Sequence, residues 1–570
     1  MSFRWVYAEP ERRDSVVELQ EELGVPAVIA RLLTLRGIET FDQAKTFFRP
    51  DINHIHDPFL MKDMEKASTR LSNAIRKREK VLVYGDYDVD GTTATAAVLL
   101  FLKKFGVDVS YYIPHRFKEG YGINADGIRH AREIGASLIV SVDCGITAVE
   151  EAGQAKKLGI DLIICDHHTV GDEIPECAAV LDPKRPDCAY PFDGLSGAGV
   201  GFKLIQATVE KLGLKPEVAY LYLDLIAISI ASDIVPVVGE NRVLMRKGLE
   251  MINENPRPGI KALLDVIRND GARVSTSTIV FSVGPRINAA GRMGDATVAV
   301  ELMVSESPEQ AKRYAERLEE INKTRRKTDK KTMDEAMAMI DSKYDMEELS
   351  SMVLHSPEWH LGVIGIVASR LVDTYYRPAI MLSTVEGKVK GSARSVKGFN
   401  IYDALKDCED LLEQFGGHEF AAGLTMEKEN LAEFRRRIDE IAYVKLQEND
   451  FKPELMIDTH LDLSEVDMSF WKLLSQFEPF GPGNLRPVFV SEDVDLYGDP
   501  AIVGNGHLKL RVHQNGSGIF DAIGFNMHEF HPHVRQSGNR RVDLAYVLEE
   551  NFWNNKRTLQ LRLKDIHVQN

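Results

Sequence analysis

LIVSVDCGITAVEEAGQAKKLGIDLIICDHH, residues 138–168, decides the fold. It opens with the short apolar run LIVSV and ends with DLIIC, and each run stops at an aspartate, Asp143 and Asp166. Between them TAVEEAGQAKKLG (147–159) reads as a helix. Two apolar strands joined through one helix form a βαβ unit, the connection that parallel strands require. Strands buried on both faces read as continuous apolar runs, as these do.

The same grammar extends outward. VLVYG (81–85) is a further apolar run, and it stops at Asp86. After it Ala94, Ala97, Val98, Phe101, Leu102 and Phe105 recur at helical spacing,. VDVSYYIP (107–114) reads as a strand and NADGIRHAREIG (124–135) as a helix closed by glycine,. The alternation predicts an α/β fold with a doubly wound, mostly parallel sheet. Helical segments follow to about residue 265. Ser307-Pro308-Glu309-Gln310 then supplies an N-cap, a first-turn proline and a capping glutamine,. With no Gly or Pro before Tyr344, one long helix follows, and its polarity all round suits a strut between domains,.

A smaller α/β unit is expected over about 346–447, where SSMVLHS and RPAIMLS flank helical GVIGIVASRLVDTYY. Glycine-rich GSARS (391–395) and FGGHEF (415–420) punctuate it. After Pro453 the texture is all-β: Leu508, Leu510 and Val512 alternate with Lys509 and Arg511, and LQLRLKDIHV (559–568) behaves alike. Short strands at this density predict a small barrel or sandwich. The expected division is an extension over 1–50, an α/β domain over 51–305, a linking helix over 306–345, a second α/β domain over 346–450 and a β-domain over 451–570. No heptads, low complexity or solenoid repeat are read.

Composition narrows the class. A hydrophobic fraction of 44% and charge of 27% are those of a soluble globular protein,. The charged start MSFRWVYAEPERRDS lacks the apolar segment of a signal peptide, and no run is long enough to span a membrane,. A cytoplasmic protein is expected. Five cysteines without a C-x-x-C pair speak for reduced thiols and against a zinc knuckle,. Net charge is −16, from 70 basic and 86 acidic residues. That balance is mildly adverse to nucleic acid, but carboxylates that hold metal are counted in it as uncompensated.

The chemistry lies at the strand ends. In an open parallel sheet ligands bind beyond the carboxyl ends of the strands, so Asp86, Asp143 and Asp166 are delivered to one edge. Asp88 and Asp90 join them at the first turn, His167 and His168 at the third, and Asp233 closes the apolar helix of IASDIVP. Acids gathered this way repel one another and lose hydration, so something must neutralise them. A pair of divalent metals does so, and mixed oxygen and imidazole donors suit Mn²⁺ or Mg²⁺ better than zinc. Any one strand-end aspartate is more often a turn or cap residue, and Asp90, before Gly91-Thr92-Thr93, is read as a cap. The combination, not any member, carries the metal reading.

These residues resemble the DHH phosphoesterase family, whose triplet stands here as Asp166-His167-His168. GDYDVDG (85–91), SVDCG (141–145), CDHH (165–168), ASDIVP (231–236), GPRINAAGR (284–292), GSARS (391–395) and GGHEFAAG (416–423) occur in the order of its RecJ-type branch. The resemblance covers about residues 50–570. It implies a DHH domain, a linking helix, a DHHA1 domain and an OB-fold. It also implies 5′→3′ exonuclease activity on single-stranded DNA with two Mn²⁺ or Mg²⁺ ions, in repair and recombination.

By the same resemblance Asp143 bridges two metals, with Asp86 on one side and Asp88, His167 and Asp233 on the other. His168 contacts the scissile phosphate, and Asp166 acts from behind the ligands. Arg394 with Ser392 resembles a pocket for a terminal 5′-phosphate, aided by Arg116, for which a surface salt bridge is the competing reading. Arg286 and His418 resemble further phosphate contacts. Other DHH branches carry a metal-binding histidine where Leu82 stands, so the first metal site is expected to be looser or to use another ligand.

Lys323–Lys331 on the strut is read as a solvated face or a DNA contact, and Phe552 and Trp553 as base-stacking or core residues. Competing functions are a DHH enzyme acting on oligoribonucleotides or cyclic dinucleotides, and an inactive scaffold that binds DNA. The barrel, the strut and the intact acids argue against them. A monomer is expected, with a single-strand-binding protein and a helicase as the partners the family implies.

Overall fold

Five parallel strands line up in the order their Asp-tipped runs require. In the computed structural model, which describes residues 3–267, 272–343, 345, 349–446, 451–536, 541–553 and 556–568, they are β1 (Val81–Gly85), β2 (Val109–Tyr112), β3 (Leu138–Val142), β4 (Asp161–Cys165) and β5 (Ala179–Leu181). Their spatial order is β2-β1-β3-β4-β5. Every pair is parallel, with Gly85 opposite Val142 and Val142 opposite Cys165. This register brings the residues after β1, β3 and β4 to one edge. The switch in strand order falls at β1, which places the crevice beside its carboxyl end.

The sequence reading missed β5, whose three residues are too few to show a period. The crossovers form as read: α1 (Val89–Lys104), α2 (Ala125–Glu133) and α3 (Val149–Lys157). Asn124 caps α2 through the Gly127 amide, and Gly135 follows it at φ 74°. α1 is buried nearly all round, from Val89 to Leu102, because α4 (Gly197–Lys211) and α5 (Leu223–Ser232) cover it.

The chain divides into two compact units, Met1–His56 with Ile234–Arg246 and Glu454–Asn570, and Asp57–Asp233 with Lys247–Pro453. The second unit holds the parallel sheet, the long helix and a second sheet. The long helix α7 (Pro308–Lys343) follows α6 (Gly284–Met293) and spans 36 residues. It is not polar all round as expected. Ala311, Ala315, Leu318, Asn322, Arg325, Asp329, Thr332, Ala336 and Ile340 are buried at spacings of three and four. The stripe escaped detection because its middle members are polar. Asp329 is paired there with Arg325 and Arg370 at 3.4 and 3.0 Å. Of the basic run, Arg325 therefore turns inward, while Lys323 and Lys331 remain exposed beside Glu319 and Glu335.

The second sheet runs β9-β10-β8-β7-β6, from β6 (Met352–His355), β7 (Ala379–Val385), β8 (Lys388–Arg394), β9 (Gln414–His418) and β10 (Ala421–Met426). Between β6 and β7 runs α8 (Leu361–Tyr375). GSARS and FGGHEF, expected as punctuation, begin inside strands β8 and β9 and run just past their ends. Their glycines allow close approach: a Cβ on Gly391 would lie 2.3 Å from Leu382 Cδ2.

The first unit is built on the expected barrel. Its strands follow in the order 459–460, 489–496, 541–553, 556–568, 520–524, 507–513 and 501–503, and the 489–496 strand also pairs with 507–513. That extra pairing closes five strands into a ring, the OB-type architecture,. The N-terminal segment belongs to it. Arg4–Tyr7 pairs in parallel with Glu454–Ile457, and Leu19, Ile29, Leu32, Leu33 and Phe47 share a core with Phe477, Phe489 and Val542. Phe552, at the tip of the longest hairpin, is exposed; the side chain of Trp553 lies outside the described residues. No helix among the described residues is long and apolar enough to cross a membrane.

Candidate active site

The carboxyl edge of the parallel sheet gathers the acids. Asp86 follows β1, and Asp88 caps α1 by accepting from the Gly91 amide at 3.0 Å. The loop between them is tight because Gly91 sits on the Asp86 backbone, where a Cβ would come within 2.5 Å. Asp143 follows β3 at φ 61°, a left-handed conformation that few non-glycine residues adopt,. Such a conformation costs on the order of 1–3 kcal/mol and concentrates at functional sites.

His167 Nε2 lies 3.2 Å from Asp143 Oδ1, 3.5 Å from Asp233 Oδ2 and 3.7 Å from Asp90 Oδ2. Ligand atoms of Asp86, Asp88 and Asp143 lie within 4.8 Å of one another, as do those of Asp90, His167 and Asp233, and those of Asp143, His167 and His168. Two overlapping clusters thus share Asp143, and two share His167.

These atoms are buried and unsatisfied. Asp86 Oδ1, Asp143 Oδ1, Asp233 Oδ2 and both ring nitrogens of His167 have no hydrogen-bond partner among the described residues. Buried polar groups are almost always paired, so orphans concentrated at one point mark a place for a cation. The donor set of carboxylates and one or two imidazoles fits Mn²⁺ or Mg²⁺.

Electrostatics agree. Burial first, then repulsion from neighbouring acids, raises the Asp86, Asp88 and Asp143 carboxyls above their ordinary range. The same causes push Asp233 up to about 9. Burial lowers the His167 imidazole.

Asp166 is different. Its Oδ2 accepts from the Ile146 amide at 2.8 Å, and its Oδ1 accepts from the His167 amide and meets His168 Nδ1, both at 2.7 Å. Burial works to raise its carboxyl, but these bonds outweigh it and hold the group below the usual range. Burial likewise works to lower His168, and the Asp166 contact outweighs it, so His168 is raised. Tyr121, unnoticed in the sequence, places its hydroxyl 3.0 Å from His168 Nδ1 and donates to the Asp143 carbonyl at 3.2 Å. Leu82 is fully buried in the core with Tyr84 and Ile139 and takes no part.

Asp90 is a cap, but not chiefly of its own helix. It accepts from the amides of Gly197 and Ala198, which open α4. Asp182, after β5, is a further strand-end aspartate that the sequence reading passed over. It is buried, and burial raises it to about 7.

A cationic group lies in the same unit. Arg394 donates to Ser392 Oγ at 3.0 Å, and a Cβ on Gly365 of α8 would lie 3.2 Å from its Nη2. Burial, then repulsion from Arg116, lowers the Arg394 guanidinium. Arg116 stacks over the ring of Tyr87, the residue between Asp86 and Asp88, at 4.9 Å. Arg292, last-turn residue of α6, was not singled out in the sequence. Burial, then Arg116, Arg325 and Arg394, lowers it to about 10. Arg286 is engaged by Glu319 at 2.6 Å. His418 is exposed and shares a row of the sheet with Arg394, Ala421 standing between them.

A pH dependence follows. Each raised carboxyl keeps its proton in the folded, metal-free protein above the unfolded value of about 3.9. The native state then binds more protons than the unfolded one, so metal-free stability falls as pH rises toward about 9, where Asp233 titrates,. Metal binds the deprotonated ligands and reverses this. The melting temperatures of Mn²⁺-loaded and chelated protein should diverge by on the order of several degrees between about pH 6 and about pH 9. Calorimetry in matched buffers checks this; a gap that narrows with pH would contradict the cluster's role.

The chain matches known proteins over nearly its whole length. Residues 80–230 match the DHH family N-terminal domain, 348–443 the DHHA1 domain and 457–565 the RecJ OB domain. The single-stranded-DNA-specific exonuclease RecJ of Bacillus subtilis is 39% identical over 568 residues, covering 99% of this chain and 71% of that protein. Its namesake in Salmonella typhimurium is 34% identical, with 97% of each covered. The crystal structure of RecJ in complex with Mn²⁺ from Thermus thermophilus superimposes with a TM-score of 0.84 at 28% identity, covering 100% of this chain and 80% of that one. With near-complete coverage and all three domains matched, the chain belongs to the RecJ family of single-stranded-DNA-specific exonucleases.

Proposed function

We propose that this protein hydrolyses the phosphodiester bonds of single-stranded DNA from the 5′ end, using two divalent ions. The observation that carries the reading is the group of orphaned, buried donor atoms on Asp86, Asp143, His167 and Asp233. Asp143 would be shared between the ions, Asp86 would serve one, and Asp88, His167 and Asp233 the other. Bound there, the ions supply activation of the attacking water and neutralisation of charge on the phosphoryl group.

The chain's own residues do the rest. His168, half-exposed and with its pKa raised by the Asp166 contact, donates to a phosphate oxygen. Asp166 fixes that ring and the His167 backbone together. Arg394, Ser392 and Arg116 hold a terminal phosphate, and Arg286 and His418 bind further along the strand. Arg292, half-buried near these guanidiniums, adds to the field that draws the anion in. The enzyme works in the cytoplasm as a monomer in repair and recombination, with a single-strand-binding protein and a helicase as partners. Its working parts are those divided at about residues 50, 305, 345 and 450.

A 5′-phosphorylated single strand, labelled at either end, tests the reading with Mn²⁺, with Mg²⁺ and after chelation. Cleavage should vanish with chelator and return with Mn²⁺ better than with Mg²⁺, because His167 is a nitrogen donor, which the harder Mg²⁺ takes less readily. Undiminished turnover in excess chelator sinks the two-metal reading. Equal cleavage of oligoribonucleotides would favour the small-substrate alternative.

A further inference from the structure

Asp90 stands in the first turn of α1 with its residue only 1% exposed. Its Oδ2 accepts from the Gly197 amide at 2.6 Å. Its Oδ1 accepts from the Ala198 amide at 2.8 Å and from the Ser229 hydroxyl at 2.7 Å. Ser229 Oγ also lies 2.6 Å from Ser196 Oγ, which accepts from the Gly199 amide at 3.1 Å. The first three amides of α4 are therefore satisfied, two of them by a carboxylate from another helix. Gly197 in turn presses on Asp143: a Cβ there would lie 2.6 Å from the Asp143 Cβ and 2.8 Å from its Cα. Asp143 is the residue held at φ 61°.

We infer that Asp90 is a positioning residue: it seats Gly197 against Asp143, and so holds Asp143 in the left-handed conformation that brings its carboxylate to His167. Two further contacts support this. Asp143 Oδ1 meets His167 at 3.2 Å but has no hydrogen-bond partner among the described residues, whereas both oxygens of Asp90 are already committed to donors. Asp90 also lies 3.7 Å from His167, too far for a hydrogen bond,. An acid with three donors is suited to hold backbone; a carboxylate oxygen with none is suited to bind a cation. Gly197 completes the chain, since any side chain there would displace Asp143.

The inference rests on the two-metal reading, and direct metal titration separates the two. Metal-free wild type, Asp90→Asn, Gly197→Ala and the double variant would be titrated with Mn²⁺ by calorimetry, with circular dichroism on each sample. Wild type should bind two ions; if it binds none, the two-metal reading itself falls. Each single variant should still bind two ions, with affinity lowered roughly ten- to a hundredfold, the usual effect of residues that orient ligands. Both changes act through the seating of Asp143, so the double variant should lose little more than the worse single one.

Additive losses, or wild-type affinity in Asp90→Asn, overturn the inference. So does a loss of one ion in Asp90→Asn with Gly197→Ala unaffected, which would make Asp90 a ligand. Should Asp90→Asn fail to fold, Ser229→Ala removes one donor from the same carboxylate. It should weaken Mn²⁺ binding in the same direction, and unchanged affinity there also counts against the inference.

Discussion

Asp143→Asn is expected to lower turnover at saturating Mn²⁺ by at least about a thousandfold while leaving the fold intact. Asparagine keeps the shape and tolerates the left-handed backbone that Asp143 adopts at φ 61°,. Alanine would confound the result with strain. What asparagine removes is the charge shared by two clusters of ligand atoms. Losing several kcal/mol of charge stabilisation corresponds to about three orders of magnitude in rate. The metal-free variant should also melt higher than metal-free wild type, since burial and the facing acids make an ionised Asp143 costly,. Lost activity with gained stability is a pairing that a merely structural aspartate does not give. Calorimetry and a nuclease assay on one preparation decide it: a folded variant with a tenth or more of wild-type turnover removes Asp143 from the chemistry.

The sheet was legible because parallel strands are buried on both faces and therefore read as unbroken apolar runs, each tipped here by an aspartate. Their common edge followed from topology alone. The short edge strand Ala179–Leu181 carried no period, so Asp182 behind it went unseen. The stripe along α7 was hidden because Asn322, Arg325, Asp329 and Thr332 occupy positions where a hydrophobic pattern is sought. Nothing local could reveal that Arg4–Tyr7 pairs with Glu454–Ile457, or that the Trp5 indole donates to Asp565. Asp90 was recognisable as a cap, but its backbone partners lie far along the chain, on α4. Arg292 and Tyr121 are of types too common to stand out, and only their surroundings distinguish them. Local pattern found the turns that carry the aspartates and histidines; the residues that pack against those turns came from distant chain.

Arg394→Ala should reduce kcat/KM on a 5′-phosphorylated strand by roughly ten- to a hundredfold and leave a 5′-hydroxyl strand nearly unchanged. The guanidinium is half-buried; desolvation, then repulsion from Arg116, lowers Arg394, and desolvation, then Arg116, Arg325 and Arg394, lowers Arg292. Cations crowded in this way attract an anion, and a terminal phosphate is a dianion that a planar guanidinium can grip with two bonds. Hydrogen bonds to charged groups contribute about 1.5–3 kcal/mol, which sets the fold-change through the transition-state relation. Arg394 also donates to Ser392 Oγ and to the Ala393 carbonyl, so a purely structural role is the rival account. That account predicts equal damage to phosphate- and hydroxyl-ended strands, through folding. Wild type, Arg394→Ala and Arg394→Lys would each be assayed on both strands, labelled at either end. Lysine, which keeps charge without the fork, should recover part of the phosphate preference and not all. If the alanine variant keeps the full preference, Arg394 does not bind the end; if wild type shortens strands from the 3′ end, the polarity proposed here is reversed.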